Sequence, residues 1–430
     1  MRDISFALDS ADPTLLTGVN GTGKSTVLRT IDAIGTGRWN SLFSIPFREL
    51  VLQFESGIEI QAFQTAENLR LELLGENAEP WSFPRDSESW PLIVDTVRQQ
   101  LVENASGSNA WHVSRPSTNW NTTYEFFPIE GSQIDVDTSP WLAKIADRGR
   151  YRERPEWVEG IPQRFPVLFI TDQRLVIEPP QQGSGRRASA EAVATKFAAE
   201  EAAANIAEAI ASAQANYAST SQSLDRDFPK RVIEAIARPR KTSEIELKRQ
   251  LTLIARHARD LRHAALLPPD AEEEFADLNF SAAHTRAVID TYVQDARAKL
   301  DVLEPLRRRL ALFSEFLNQH YHSKYIEFDP QKGFVIRVEG RDDPLPPSNL
   351  SSGEQQILVL AHHILFRATP GTLVLIDEPE LSLHVLWQSV LVDDLSEMGR
   401  ERNLSFLLAT HSPALIAGRE DLRRPLDPKR

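Results

Sequence analysis

The sequence predicts an α/β fold interrupted by a long helical stretch, and three observations carry that expectation. Short apolar runs of strand length stand near both ends of the chain. A glycine-rich turn joins the first of them to a segment with helical periodicity. From about residue 181 the composition shifts to Ala, Glu, Arg and Leu with apolar residues three and four apart, and from Tyr325 strand patterns return.

Taken in order, residues 4–8 and 14–17 read as strands leading into the turn, and a helix should run from Lys24 to about Ile34. Residues 50–54 and 58–62 alternate around Ser56-Gly57, as a hairpin does. Residues 79–163, rich in Trp, Pro, Ser and Asn, read as an irregular insertion. The run 165–170 is short, apolar and bounded by proline, which suits a buried strand. Leu247, Leu251, Ile254, Ala258, Leu261 and Ala265 then form one apolar seam, and Leu303, Leu306, Leu310, Phe313 and Leu317 another. Pro268-Pro269 separates them, so the helices should double back into a compact lid or coiled-coil-like domain rather than a long rod. Lys332-Gly333 is a second hairpin turn, after which a helix, a strand, a helix and a final strand should follow. The expected division is 1–180, 181–324 and 325–430.

Bulk properties exclude several classes. With no cysteine among 430 residues there is no disulfide framework, thiolate metal site or thiol nucleophile. No run of 18 apolar residues occurs and the first residues are acidic, so neither a membrane span nor a signal peptide is expected, and a cytoplasmic protein is the plain reading. A net charge of −13 argues against a general nucleic-acid coat. Residues 228–262, however, hold ten Lys/Arg against four Asp/Glu, a local net of +6 that leaves room for nucleic acid there, although a solvated helix face explains it equally well.

Gly18 to Ser25 matches the phosphate-binding pattern G-x-x-x-x-G-K-[ST]. Glycines let successive N–H groups point inward, so Asn20, Gly21, Thr22, Gly23, Lys24, Ser25 and Thr26 are candidate contacts to a triphosphate. Lys24 would reach the β- and γ-oxygens and Ser25 would ligate Mg²⁺, with the helix N-terminus adding its partial charge. Downstream, 372–376 is an apolar strand ending in Asp377-Glu378. Asp377 is placed to hold the Mg²⁺ shell and Glu378 to polarise an attacking water, although such a strand end can also be merely solvated. Between them lies Leu-Ser351-Ser352-Gly353-Glu354-Gln355, ahead of an apolar helix. There Ser352 and Gln355 make an S-x-x-Q capping box, and the same geometry turns hydroxyls and a helix dipole toward one spot.

The order of phosphate loop, Leu-Ser-Ser-Gly-Glu, Asp-Glu-Pro and Ala409-Thr410-His411 resembles the ABC-type ATPases. That resemblance implies an ABC-ATPase head, a RecA-like mixed sheet with helices and an antiparallel β subdomain, carrying the helical insertion. It implies a homodimer or higher homo-oligomer in which Ser351, Ser352, Gly353 and Glu354 of one copy meet the ATP held by the other. His411 would then contact the γ-phosphate, and Gln173 would join Ser25 and Asp377 at the metal.

The wording Asp-Glu-Pro-Glu-Leu-Ser-Leu-His and Ala-Thr-His-Ser-Pro is similar to the ATPases related to the overcoming-lysogenisation-defect (OLD) proteins and to the ATPase subunits of Septu anti-phage systems. A nucleotide-gated regulatory subunit with a separately encoded effector follows from that, the effector being a nuclease of HNH or TOPRIM type, since only 19 residues follow His411. A DNA-handling ATPase of the RecF or SMC type is the alternative. Ser352 and Glu354 depart from the Leu-Ser-Gly-Gly-Gln of transporter ATPases, and Leu381-Ser382-Leu383-His384 replaces their Ser-Ala-Leu-Asp.

Overall fold

The computed structural model describes residues 4–8, 12–19, 21–65, 68–76, 78–84, 111–114, 125–128, 155–171, 187–238, 242–269, 280–381 and 383–426. They fall into two compact units, one of residues 1–3 with 33–164 and one of residues 4–32 with 165–430.

Strand β1 (Thr14–Thr17) and helix α1 (Lys24–Gly35) flank the glycine-rich turn. Residues 4–8 are not a strand. The smaller unit holds an antiparallel sheet in the order β2 (Glu49–Gln53), β3 (Glu59–Gln64), β4 (Asn68–Leu74) and β5 (Trp81–Pro84), after the short helix α2 (Trp39–Leu42). The expected hairpin is its first pair, with Leu52 opposite Ile60 and Gly57 at a φ of 81° in the turn. Strand β4 alternates exposed and buried, so Leu69, Leu71 and Leu73 line one face. They pack with Trp39, Leu42, Val158 and Ile161, and Trp39 meets Trp81 edge to face at 6.1 Å. Val158 and Ile161 come from the short helices α3 (Glu156–Glu159) and α4 (Ile161–Arg164). Between β5 and α3 in the chain, β6 (Trp111–Ser114) and β7 (Glu125–Pro128) form a second antiparallel pair. The expected antiparallel β subdomain is thus present.

The larger unit is built on a five-stranded sheet, ordered β13 (Arg423–Pro425), β1, β12 (Ser405–Thr410), β11 (Leu373–Asp377) and β8 (Val167–Ile170). Its ladders are parallel. Parallel strands are covered on both faces and read as continuous apolar runs, and β1 and β11 are buried at every position. Alternate residues serve opposite layers. Leu16, Leu373, Leu375, Leu407 and Ala409 pack with Leu28 and Ile31 of α1, while Leu15, Val374, Ile376, Phe406 and Leu408 belong to the main core with the long helices. Strand β13 went unexpected because Arg-Arg-Pro carries no apolar pattern.

The helices of residues 187–320 are α5 (Arg187–Ala237), α6 (Glu244–His263), α7 (Ala283–Asp301) and α8 (Glu304–His320). The expectation of short helices misses α5, a single helix of 51 residues, about 75 Å at 1.5 Å per residue. Its buried stripe, Ala198, Ala199, Ala202, Ile206 and Ile210, is built largely of alanine and so gives a faint periodic signal. Pro229 sits inside it, and nearby Arg231 donates to the Leu224 carbonyl and makes a bidentate pair with the buried Asp295 of α7. The two predicted seams are buried, except that Ala258 is only partly so and Ala265 lies beyond the end of α6 at a φ of 58°. The predicted hairpin at Lys332-Gly333 joins β9 (Lys324–Asp329) to β10 (Gly333–Val338). Beyond it come α9 (Ser352–His362), a π turn (His363–Arg367), α10 (Val385–Arg402) and α11 (Pro413–Ile416). Among the described residues no helix is long and apolar enough to cross a membrane.

A buried histidine of α8 faces a carboxylate of α10. His320 Nδ1 lies 2.7 Å from the Phe316 carbonyl, which can only accept, so Nδ1 carries hydrogen and Nε2 of the neutral ring faces Asp394 Oδ2 at 3.4 Å as an acceptor. Burial, with the charges of Asp393 and Glu397 behind it, pushes the Asp394 carboxyl up to about 6, so below that pH it can supply the proton. Because the folded-state value exceeds the unfolded one, this group stabilises fully below the ordinary carboxylate range and loses that contribution as pH rises through 6. Asp394→Asn should therefore stabilise the fold at pH 7.5 by on the order of 2 kcal/mol, seen as a higher thermal midpoint, and the gain should vanish near pH 4. Unfolding curves of both proteins from pH 4 to 8 check this; a constant difference would contradict it.

Candidate functional site

The parallel ladder brings the chemistry-bearing residues together. Register pairs Thr17 with Thr410 and Asp377 with Ala409, so the C-terminal ends of β1, β11 and β12 lie side by side. Ligands of open parallel sheets bind outside those strand ends.

The loop after β1 has Gly21 and Gly23 at φ values of 83° and 99°, which require glycine. Lys24 is buried at the start of α1 and its Nζ donates to the Gly18 carbonyl at 2.9 Å, so its ammonium lies over the loop. Ser25 Oγ donates to Asp377 Oδ1 at 3.0 Å, joining the two ends of the chain. A hydroxyl and a carboxylate in contact form the hard-oxygen pair that suits Mg²⁺. Asn20 and Gln173 lie outside the described residues.

Glu378 directly follows β11 at a φ of 48°, a left-handed conformation unusual for a side chain of its size, and its N–H donates to the Ala409 carbonyl at 2.9 Å. Its Oε2 lies 2.6 Å from His411 Nδ1. Burial and then the neighbouring Glu380 charge raise the Glu378 carboxyl above the usual range, with His411 and Lys24 pulling the other way. A carboxylate raised in this manner holds a proton more readily and is the better general base. His411 is half exposed.

Glu380 was not singled out from sequence. Buried behind Glu378, its Oε1 accepts from Thr410 Oγ1 at 2.7 Å, His411 N at 3.1 Å and Ser412 N at 3.0 Å, fixing the turn that presents His411. Glu378, Glu380 and His411 also offer three ligand atoms within 4.8 Å of one another. The available signal was a carboxylate three residues beyond an apolar strand, where no solvated loop begins.

The second cluster caps α9. Ser351, not Ser352, is the N-cap: Ser351 and Glu354 form the capping box, while Gln355 Nε2 donates to the Ser348 and Leu350 carbonyls. The S-x-x-Q box is therefore corrected by one residue. Both serines satisfy the pattern, and burial of Leu350 fixes the earlier start. Ser352 is exposed and Gly353 buried. Glu354 Oε2 accepts from Ser351 N and Oγ, both at 2.9 Å, and Oε1 accepts from Lys324 Nζ at 2.5 Å. His384 caps α10, accepting from Leu386 N at 3.3 Å, and Ser382 lies outside the described residues.

In the basic segment, Lys248 pairs with Glu244 at 2.7 Å and Arg249 with Glu246 at 3.7 Å within α6, while Arg240 and Lys241 lie outside the described residues.

A nucleotide-type phosphate loop at the edge of a parallel sheet, facing a strand-end Asp-Glu pair, defines an ATPase-type head. The chain belongs to the family described as "AAA domain, putative AbiEii toxin, Type IV TA system", which matches residues 193–417, more than half of its length. No curated protein matches it. Among solved structures it is similar to an Smc head domain with an extended coiled coil bound to the C-terminal domain of ScpA, from Pyrococcus furiosus. The identity is 11% and the TM-score 0.35, covering 96% of this chain and 87% of that one. An SmcHead bound to the C-winged helix domain of ScpA gives 10% and 0.36, covering 96% and 86%.

Proposed function

We propose that this protein is an ABC-type ATPase whose two copies close on ATP and Mg²⁺, and that it works as the nucleotide-gated regulatory subunit of a prokaryotic anti-phage defence system with a separate effector nuclease. One observation carries the ATPase reading: Ser25 meets Asp377 at 3.0 Å while Glu378, the next residue, meets His411 at 2.6 Å. A metal-ligand pair and a base–histidine pair thus stand side by side at one sheet edge. The family's description, which names a Type IV TA system, and the wording of the 377–384 and 409–413 segments support the defence role.

In this reading the loop N–H groups and Lys24 bind the phosphates. Ser25 and Asp377, with Gln173, would hold Mg²⁺, which would supply positive charge to offset the charge of the phosphates. Glu378 takes the proton of the attacking water, and His411 orients Glu378 and contacts the γ-phosphate. Ser351 and Gly353 of a second copy complete the site. The helical region 181–324 relays nucleotide state from the head segments 1–180 and 325–430 to the effector.

Ser351→Arg tests the two-copy site. Turnover should fall at least tenfold while a fluorescent ATP analogue still binds the same chain with unchanged affinity. Loss of that binding would place Ser351 in the wrong site, and unchanged turnover would remove the second copy from the reaction.

A further inference from the structure

The candidate signature carries a charge that its proposed task would forbid. Ser351 and Gly353 are read as the surface that meets another copy's γ-phosphate, yet Glu354 stands one helical turn away, nine-tenths buried. A buried carboxylate beside an incoming phosphate repels it, and little solvent screens the repulsion. The carboxylate also occupies the hydroxyl: Ser351 Oγ–H donates to Glu354 Oε2 at 2.9 Å, and the Ser351 N–H donates to the same oxygen. A phosphate can take the Ser351 hydrogen only by drawing it away from Glu354.

One cation answers both problems. Lys324 opens β9, directly after Ser323 at a φ of 55°, and its mostly buried side chain donates to the other oxygen, Oε1, at 2.5 Å. Tyr321, on the same connection from α8, donates its hydroxyl to the Glu354 carbonyl at 3.1 Å, which fixes this connection to the start of α9. The helical region and the signature therefore meet through two side chains three residues apart.

We propose that Lys324 is a positioning residue of the signature. By neutralising Glu354 it lets that carboxylate hold Ser351 in place without repelling the partner copy's γ-phosphate, and it makes the Ser351 hydroxyl easier to transfer from carboxylate to phosphate. The role rests on the two-copy ATP site proposed above. It also accounts for a glutamate standing where transporter signatures carry a neutral glutamine: the side chain and its cation form one neutral unit.

The test is a double-variant cycle on the full chain, reading ATP turnover, ATP-dependent dimerisation in a Glu378→Gln background, and binding of a fluorescent ATP analogue. Lys324→Ala should lower turnover and dimerisation about tenfold or more, with analogue binding unchanged, because the binding loop belongs to the other cluster. Adding Glu354→Gln should restore both to within about threefold, since a neutral amide needs no cation, and Lys324→Arg should retain function. A purely structural role predicts instead that the loss and the rescue of turnover follow the melting temperature of each variant. The inference is overturned if Lys324→Ala turns over like the parent, or if the double variant melts like the parent yet stays as slow as Lys324→Ala. Ser351→Arg separates the two ideas: if it blocks turnover and Lys324→Ala does not, only the role of Lys324 fails. If it leaves turnover intact, the two-copy reading fails and Lys324 loses its task with it.

Discussion

Glu378→Gln should reduce ATP turnover by about 10²–10⁴-fold while leaving a stable ATP-bound dimer. The substitution keeps the shape at the end of β11 and removes the ability to accept a proton. Glu378 is suited to that role by its surroundings. It is partly buried, Glu380 presses its carboxyl upward, and His411 Nδ1 stands 2.6 Å away. Lys24, Ser25 and Asp377 keep their own contacts through Gly18 and one another, so nucleotide affinity should be preserved. Turnover assays paired with light scattering in ATP and Mg²⁺ decide the matter. A variant that still hydrolyses ATP would remove Glu378 as the base, and one that stays monomeric would sink the closure of two copies on shared nucleotide.

Gly333→Ala should destabilise the larger unit by about 3 kcal/mol or more. A Cβ built at Gly333 meets the Ala203 carbonyl oxygen of α5 at 2.0 Å and the backbone of Ala203 and Ala207 at 2.9 Å. None of these is a side chain that can swing aside, so the helix or the hairpin must move. The φ of 76° adds strain for any residue bearing a Cβ. Gly340→Ala separates the two contributions: its φ is 74° with nothing within 4 Å, so it bears the conformational cost alone, about 1 kcal/mol. Urea unfolding of the three proteins checks the ordering. Equal losses in the two variants would mean that α5 does not lie against this hairpin.

Much of this architecture was legible in the residues. The strands of the parallel sheet show as apolar runs because both their faces are covered, and the hairpins show through Gly57 and Gly333, whose backbone needs glycine. The phosphate loop and the Asp377-Glu378 strand end stood out as residue patterns and His411 only through the resemblance, and the ladder sets all of them at neighbouring strand ends. Helix α5 stayed hidden because its inward stripe is largely alanine, small enough for Gly333 to approach closely and too small to mark a period. Strand β13 stayed hidden because its place comes from β1 and not from its own side chains. Glu380 and Lys324 were missed for another reason: each acts by holding a neighbour, Glu380 through the backbone of residues 411–412 and Lys324 through a carboxylate thirty positions away, and such partnerships exist only once the chain has folded.

The strand order has a consequence for synthesis. Both neighbours of β1 come from residues 405–425. A ribosome adding about 5–20 residues per second leaves β1 without either partner for roughly 20–80 s after it is made. The newborn phosphate loop therefore emerges long before its neighbouring strands exist, and nucleotide can be held only once residues 405–425 have been made. A chain stopped before residues 405–425 would carry the loop but not its flanking strands, which ties nucleotide capture to the synthesis of those two strands.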